Sequence, residues 1–276
     1  MNYQHSYHAG NFADVFKHIV LIALIQSLSR KESPFCYLDT HAGASHHDLY
    51  AGNAQKTQEF TQGIQKIFAA QQPPELIQHY LACIKELNPT NKLHIYPGSS
   101  YFAHAFMRPQ DRMILGELHP ATARVLKQFF AHDKRVAVHQ QDGYQSLKAF
   151  LPPKERRGLV LIDPPYEKPD ELLSLPSKMA TAIKRWETGT YALWYPIKTR
   201  ALLRPFYREW QTHIMRPTLL AELYVYPDDH AGRLNGSGML IINPPWQLEQ
   251  QLGIILEWVW HALSIQGHGG VKLHML

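Results

Sequence analysis

Gly158-Leu159-Val160-Leu161-Ile162-Asp163-Pro164-Pro165-Tyr166 is the stretch on which the reading of this chain turns. An apolar run without alternation passes directly into an acid and two prolines. Such a run fits a strand covered on both faces, as in a parallel sheet with helices above and below. The prolines cannot continue a strand, and they stiffen the turn that follows. Asp163 is therefore expected at the C-terminal end of a central strand, the edge at which open α/β sheets bind ligands.

Similar runs recur on both sides of it. Phe35–Asp39, Met113–Glu117, Val136–His139, Leu159–Asp163, Tyr191–Tyr195, Ala221–Tyr226 and Met239–Asn243 all read as strands, with helical patterns between them. That alternation predicts an α/β, Rossmann-like, doubly wound fold with a seven-stranded sheet whose last strand is antiparallel. The acids Asp39, Glu117, Asp142 and Asp163 then fall along one sheet edge. The interval from Asp39 to Glu117 is too long for a simple crossover. Residues 50–88 read as two amphipathic helices, interrupted at Gln71-Gln72-Pro73-Pro74. The expected organisation is one domain over residues 1–276 with a helical insertion at 48–96, after which a helix resumes at Gly98 with Ser99 as its cap.

An acid, a proline carbonyl and an aromatic ring at a ligand edge suit methylation of an amino group on an aromatic ring. Such a nitrogen is a poor nucleophile because its lone pair is delocalised. Asp163 and the Pro164 carbonyl can accept hydrogen bonds from the two amino hydrogens and localise that lone pair. Pro165 stiffens the turn, and Tyr166 can stack on the base. Asn243-Pro244-Pro245-Trp246 has nearly the same pattern. It follows the expected antiparallel strand, so it should lie at the opposite edge, and a structural role is expected for Asn243.

Other motifs complete the site. Asp39-Thr40-His41-Ala42-Gly43-Ala44 reads as a cofactor loop in which Gly43 allows close approach of backbone N–H groups. Glu117 is placed to hold both hydroxyls of a ribose, and Asp142-Gly143 to meet an adenine amino group. Each is weak alone. Their order along the chain predicts S-adenosylmethionine as the methyl donor. The N-terminal segment Tyr3-Gln4-His5-Ser6-Tyr7-His8 leads into a helix, read as amphipathic, that carries Lys17 and His18. Interleaved aromatic and basic groups suit contacts to a flipped nucleotide.

Composition sets milder bounds. The 276 residues are 45% hydrophobic, ample for one packed core, and 28 Lys and Arg against 23 Asp and Glu give a net charge of +5. That excess suits a polyanion without requiring one. Cys36 and Cys83 match no disulfide framework or zinc motif and read as buried thiols. His41, His46, His47 and Asp48 lack the spacing of a metal site, so no metal is expected. No secretory signal is visible and no apolar stretch reaches bilayer-spanning length, so a cytoplasmic location without membrane contact is expected.

On these motifs the chain closely resembles the bacterial 23S ribosomal RNA adenine-N6 methyltransferases of the RlmJ type. The likeness extends over nearly the whole length, through HAGNFADVFKH, YLDTHAGA, YPGS, GELHP, DG, RRGLVLIDPPYE, YALWYP and SGMLIINPPW. It implies a class I methyltransferase fold, a monomer, and protein-free 23S ribosomal RNA as substrate. It also implies Asp163 as the catalytic acceptor, His18, His41, Ser99, Glu117, Asp142, Gly143 and Asp163 around the cofactor, and Tyr3, His5 and Lys17 near the substrate base. The chain departs from the family pattern at Ser45-His46-His47-Asp48, where a glycine and then a basic residue are expected. DNA adenine methylation, protein glutamine methylation and a non-catalytic nucleic-acid-binding role are the competing readings. The small insertion, the acid rather than asparagine at position 163 and the retained strand-end acids count against them in turn.

Overall fold

A computed structural model describes residues 5–168, 170–227 and 234–276. In chain order the strands are β1 (Cys36–Asp39), β2 (His46–Asp48), β3 (Ile95–Pro97), β4 (Arg112–Glu117), β5 (Val136–Gln140), β6 (Gly158–Ile162), β7 (Thr190–Ile197), β8 (Thr218–Tyr224), β9 (Gly236–Ile242) and β10 (Gly270–Met275). The helices are α1 (Phe12–Ser29), α2 (Gly52–Thr57), α3 (Ile64–Phe68), α4 (Glu75–Glu86), α5 (Ser99–Ala105), α6 (Pro120–Phe129), α7 (Gly143–Phe150), α8 (Glu171–Arg185), α9 (Arg200–His213) and α10 (Leu248–Leu263).

The main sheet runs β10-β8-β9-β7-β6-β1-β4-β5, and a separate ribbon pairs β2 with β3. Strands β5, β4, β1, β6 and β7 are parallel, whereas β9 is antiparallel to both β7 and β8. This is the class I methyltransferase arrangement. The seven expected strands are present with ends shifted by a few residues, and an eighth, β10, extends the sheet antiparallel to β8. Its sequence hides it. Gly270–Met275 is a half-exposed edge strand in which Lys272 and His274 interrupt the apolar residues.

Alternation along the central strands divides the core between the two faces. Tyr37, Leu159 and Leu161 point into the layer formed with α1, α4, α5 and α10. Leu38, Val160 and Ile162 point into the layer formed with α7, α8 and α9. A strand buried on both faces needs no polar alternate, so the run preceding Asp163 reads as continuous.

Helix α1 corrects the sequence reading twice. It starts where Asn11 accepts from the Ala13 and Asp14 amides. Every residue from Phe12 to Ile25 is buried, including Lys17 and His18, so the helix is enclosed rather than amphipathic. It is also long and apolar enough, by length and composition, to cross a membrane, with 83% of it buried inside the protein. The reason is its central place, packed on the sheet and touching α4, α5 and α10.

The segment between β2 and β3 is helical, with the expected break before α4. Its first half is divided among α2, a 3-10 turn at Glu59–Gln62 and α3. Gly63 allows this piece to dock on the N-terminal arm: a Cβ there would lie 2.1 Å from the Gly10 carbonyl oxygen. The Ile64 amide donates to that same oxygen at 2.8 Å. The departure at Ser45–Asp48 also has a structural counterpart, because His46–Asp48 forms β2 in register with Ile95–Pro97.

Candidate active site

The C-terminal ends of β1, β4 and β6, the first turn of α1 and the helical insertion surround a cleft of about 1300 Å³. Asp163 leaves β6 into this cleft, with Pro164, Pro165 and Tyr166 along its wall. The Tyr166 backbone is left-handed at φ 52°. Its hydroxyl donates to the Trp194 carbonyl, and the two rings lie 5.7 Å apart. The phenol is thus held by its far end, leaving the ring at the cleft.

A buried charge network supports the carboxylate. Lys17 Nζ lies 2.5 Å from Asp163 Oδ2 and 3.0 Å from Asp14 Oδ1. Asp14 Oδ2 in turn meets His5 Nε2 at 2.9 Å and accepts from the Gly10 amide at 3.0 Å. Burial alone would lower the Lys17 pKa, but Asp14 and Asp163 outweigh it and hold the ammonium above its usual range. Burial likewise pushes Asp14 up, and His5 and Lys17 overcome this and hold it well below the usual carboxylate range. Charges removed from water this completely persist only because each is matched. Lys17 was expected beside the substrate base, and its observed partner is the Asp163 carboxylate itself.

The loop after β1 forms the neighbouring wall. Gly43 adopts φ 60°, and its amide donates to Glu117 Oε2 at 2.9 Å, while the His119 amide donates to Glu117 Oε1 at 2.6 Å. A Cβ on Gly43 would meet no atom within 4 Å, so the protein leaves this side of the loop open. Asp39 is fully buried behind the loop. It accepts from the Tyr37 hydroxyl at 2.8 Å, the Ser99 hydroxyl at 2.7 Å and the His41 amide at 3.2 Å. Burial pushes its pKa up to about 6 despite these bonds. Ser99 does not cap α5, since the cap position falls to Gly98 and the Ser99 hydroxyl turns to Asp39.

His18 and His41 both reach the cleft wall. His18 hydrogen-bonds through Nδ1 to the Tyr96 hydroxyl at 2.8 Å, and burial, with Lys17 next to it, holds its pKa well below the usual value. Burial brings His41 down to about 4. Asp142 and Gly143 are not among the cleft-lining residues. Asp142 Oδ1 instead accepts from the Tyr144 and Gln145 amides and caps α7. Gly143 is required by packing, because a Cβ there would lie 2.5 Å from the Thr40 carbonyl oxygen. Tyr3 lies outside the described residues. Among the described residues, no group of three or more His, Cys, Asp or Glu is arranged to hold a metal. Cys36 and Cys83 are free and buried.

Sequence reading missed several participants. Asp14 had a visible signal, the i,i+3 spacing to Lys17 just inside the Asn11 cap. Glu59 had none, since it comes from the insertion to accept from Asn11 Nδ2 at 2.9 Å and to pair with His8 at 3.0 Å. Trp194 was legible only as a strand residue. Its ring nevertheless faces the cleft, with Lys17 Nζ 5.8 Å from its centroid.

Comparison with known proteins agrees with this architecture. The family model described as "Ribosomal RNA large subunit methyltransferase D, RlmJ" matches residues 32–276. A relative in Escherichia coli (strain K12), described as ribosomal RNA large subunit methyltransferase J, is 42% identical over 98% of this chain and 96% of its own length. A Haemophilus influenzae relative of the same description is 43% identical over the same shares. A crystal structure of a Legionella pneumophila protein superposes with a TM-score of 0.88 at 35% identity, covering 98% of both chains.

Proposed function

Because this chain belongs to the family of ribosomal RNA large subunit methyltransferases described as RlmJ, we propose that it methylates the N6 amino group of an adenine in 23S ribosomal RNA. On this reading the methyl donor is S-adenosylmethionine, the substrate is protein-free RNA, and the enzyme works as a cytoplasmic monomer. Residues 1–276 then act as one catalytic domain, with 48–96 as a helical insertion that helps to wall the cleft. The observation that carries the proposal is the position of Asp163, at the ligand edge of β6 inside the cleft, with its carboxylate tied to Lys17.

The residues present suit the donor. Glu117 ends β4 at the cleft with two carboxylate oxygens, each holding one amide and each able to accept again, as a ribose diol requires. The open side of Gly43 leaves space that a side chain would occupy. Asp142 fits the adenine end less directly, because one of its oxygens is committed to capping α7. When bound, the donor supplies an electrophilic methyl group on a sulfonium centre.

The chain's own residues do the remainder. With Oδ2 fixed by Lys17, the Asp163 carboxylate presents its other oxygen to one amino hydrogen of the base, and the Pro164 carbonyl accepts the second. Both bonds strengthen as the nitrogen gains positive charge, so they favour the transition state over the ground state. Tyr166 and Trp194 offer aromatic faces that align the base.

The decisive test is transfer of radiolabelled methyl to deproteinised ribosomal RNA from a strain lacking the gene, followed by digestion to nucleosides. Label in N6-methyladenosine is the expected result. Label confined to duplex DNA or to protein, or no transfer at all, would overturn the assignment.

A further inference from the structure

A second concavity lies on the same sheet edge as the cleft, beyond β7. It has a volume of about 480 Å³, and its walls include Arg200, Arg204, Tyr207, Tyr224 and Lys272. Two short chain segments join it to the catalytic cleft. Lys198 lines the cleft and Arg200 the second pocket, while Tyr224 lines the pocket and Tyr226 the cleft. Topology explains the continuity. β7 and β8 end at the ligand edge, and β10, antiparallel to β8, begins there. Three strand spacings of ~4.8 Å separate β6 from β8, roughly 14 Å along the edge.

The pocket is built for an anion. Arg200, Arg204 and Lys272 are all exposed. Two of the cations rest on aromatic faces, with the Arg200 guanidinium 4.2 Å above Tyr224 and Lys272 Nζ 5.5 Å above Tyr207. Those contacts place the charges before a ligand arrives. The tyrosine hydroxyls are engaged elsewhere. Tyr195, Tyr207 and Tyr224 all donate to the fully buried Glu222, so at the pocket Tyr207 and Tyr224 offer only rings. Glu222 also draws Lys272 Nζ to 4.0 Å, so the buried carboxylate helps to fix where that ammonium stands at the pocket. Arg200 opens α9, whose first-turn N–H groups add further positive potential on this side.

We propose that this pocket binds a backbone phosphate of the ribosomal RNA a few nucleotides from the target adenine. The inference rests on the RNA methyltransferase reading and deepens it, adding an anchor that sets the register of the strand. Bidentate arginine contacts suit a phosphodiester, and an anchor at this distance positions the polymer without touching the base.

The test titrates a fluorophore-labelled, deproteinised 23S ribosomal RNA fragment with the full chain at several salt concentrations, and follows methyl transfer in parallel. Wild type is compared with the double variant Arg204→Glu/Lys272→Glu, the milder Arg204→Gln, and Lys184→Glu as a charge control on α8. The double variant should weaken binding about tenfold and reduce the salt slope by about 0.7 for each phosphate that is no longer neutralised. In turnover the loss should fall on KM for RNA, while Lys184→Glu matches wild type. Arg204→Gln should give a smaller change in the same direction, and it serves as the reading if the double variant does not fold. Unchanged affinity and salt slope in a folded variant would overturn the proposal, as would an equal change in the Lys184→Glu control. Wild-type binding without methyl transfer would sink the functional reading, and the salt slope would still decide the pocket.

Discussion

Two turns in this protein are nearly the same in sequence and opposite in circumstance. Asp163-Pro164-Pro165-Tyr166 leaves β6, and Asn243-Pro244-Pro245-Trp246 leaves β9, each after a completely buried strand. Each holds one left-handed residue, Tyr166 at φ 52° and Asn243 at φ 51°. Because β9 runs antiparallel to β7, its C-terminus emerges at the edge away from the cleft. There the Asn243 amide donates to the Glu187 and Gly189 carbonyls at 2.9 and 2.8 Å, closing a loop. Trp246 stands 80% exposed, while Tyr166 is pinned by its hydroxyl inside the cleft. A motif of this kind supplies hydrogen-bonding groups, and strand direction decides whether a substrate can reach them.

The largest effect is expected from making the first turn resemble the second. Asp163→Asn removes the carboxylate that faces Lys17 and leaves that buried ammonium with Asp14 alone. Single-turnover methyl transfer should fall by roughly 10²–10³-fold. Donor affinity measured by calorimetry should stay close to wild type. Retained transfer would mean that an amide serves as well as the acid, and the contrast between the turns would lose its chemical side.

A smaller effect, on stability alone, is expected at the second turn. Asn243→Ala removes two hydrogen bonds to backbone carbonyls and leaves an alanine at positive φ, costing about 1–3 kcal/mol in chemical denaturation. Asn243→Gly removes the same two bonds but relieves the backbone, so it should cost less. Methyl transfer should persist in both. A folded but inactive Asn243→Gly protein would reverse the roles assigned to the two turns.

The smallest effect concerns pH. Burial holds His41 at about 4 and His47 at about 3, both below the value near 6.5 of an exposed histidine. Their contribution to stability is present above pH 6.5 and is lost as pH falls through these lower values, because the unfolded chain binds the protons first. Asp39, raised to about 6, acts in the opposite sense and loses stability as pH rises from its ordinary range through 6. Hydrogen exchange at pH 4.5 against pH 7 should therefore loosen Gly43–Ala44 before the amides around Asn243. His47→Gln should flatten that difference, and uniform loosening of both edges would remove the histidines from the account.

Legibility in the sequence followed locality. The strands β1, β4 to β9 and the catalytic turn were readable because continuous apolar runs and paired prolines are short-range signals. Strand β10 was not, since an edge strand is only half covered and carries Lys272 and His274. Helix α1 was misread as amphipathic because its few charged residues look like a solvated face, whereas Asp14 and Lys17 neutralise each other inside. Asp142 and Gly143 follow the expected strand in the expected order, and only the structure adds that Asp142 also caps α7 and that Gly143 packs against Thr40. Ser99 shows the same limit, capping in sequence and bonding to Asp39 in space.

What the sequence by itself determined is the doubly wound framework, the strand-end acids and the identity of the turn that carries the chemistry, all of which depend on neighbours a few residues apart. Tertiary structure alone decided that Lys17 pairs with Asp163 across 146 positions, that Glu59 returns from the insertion to the N-terminal arm, and that the second basic pocket adjoins the cleft. Those outcomes depend on strand direction and on matching charges once water has been removed, and neither is written in any local stretch of the chain.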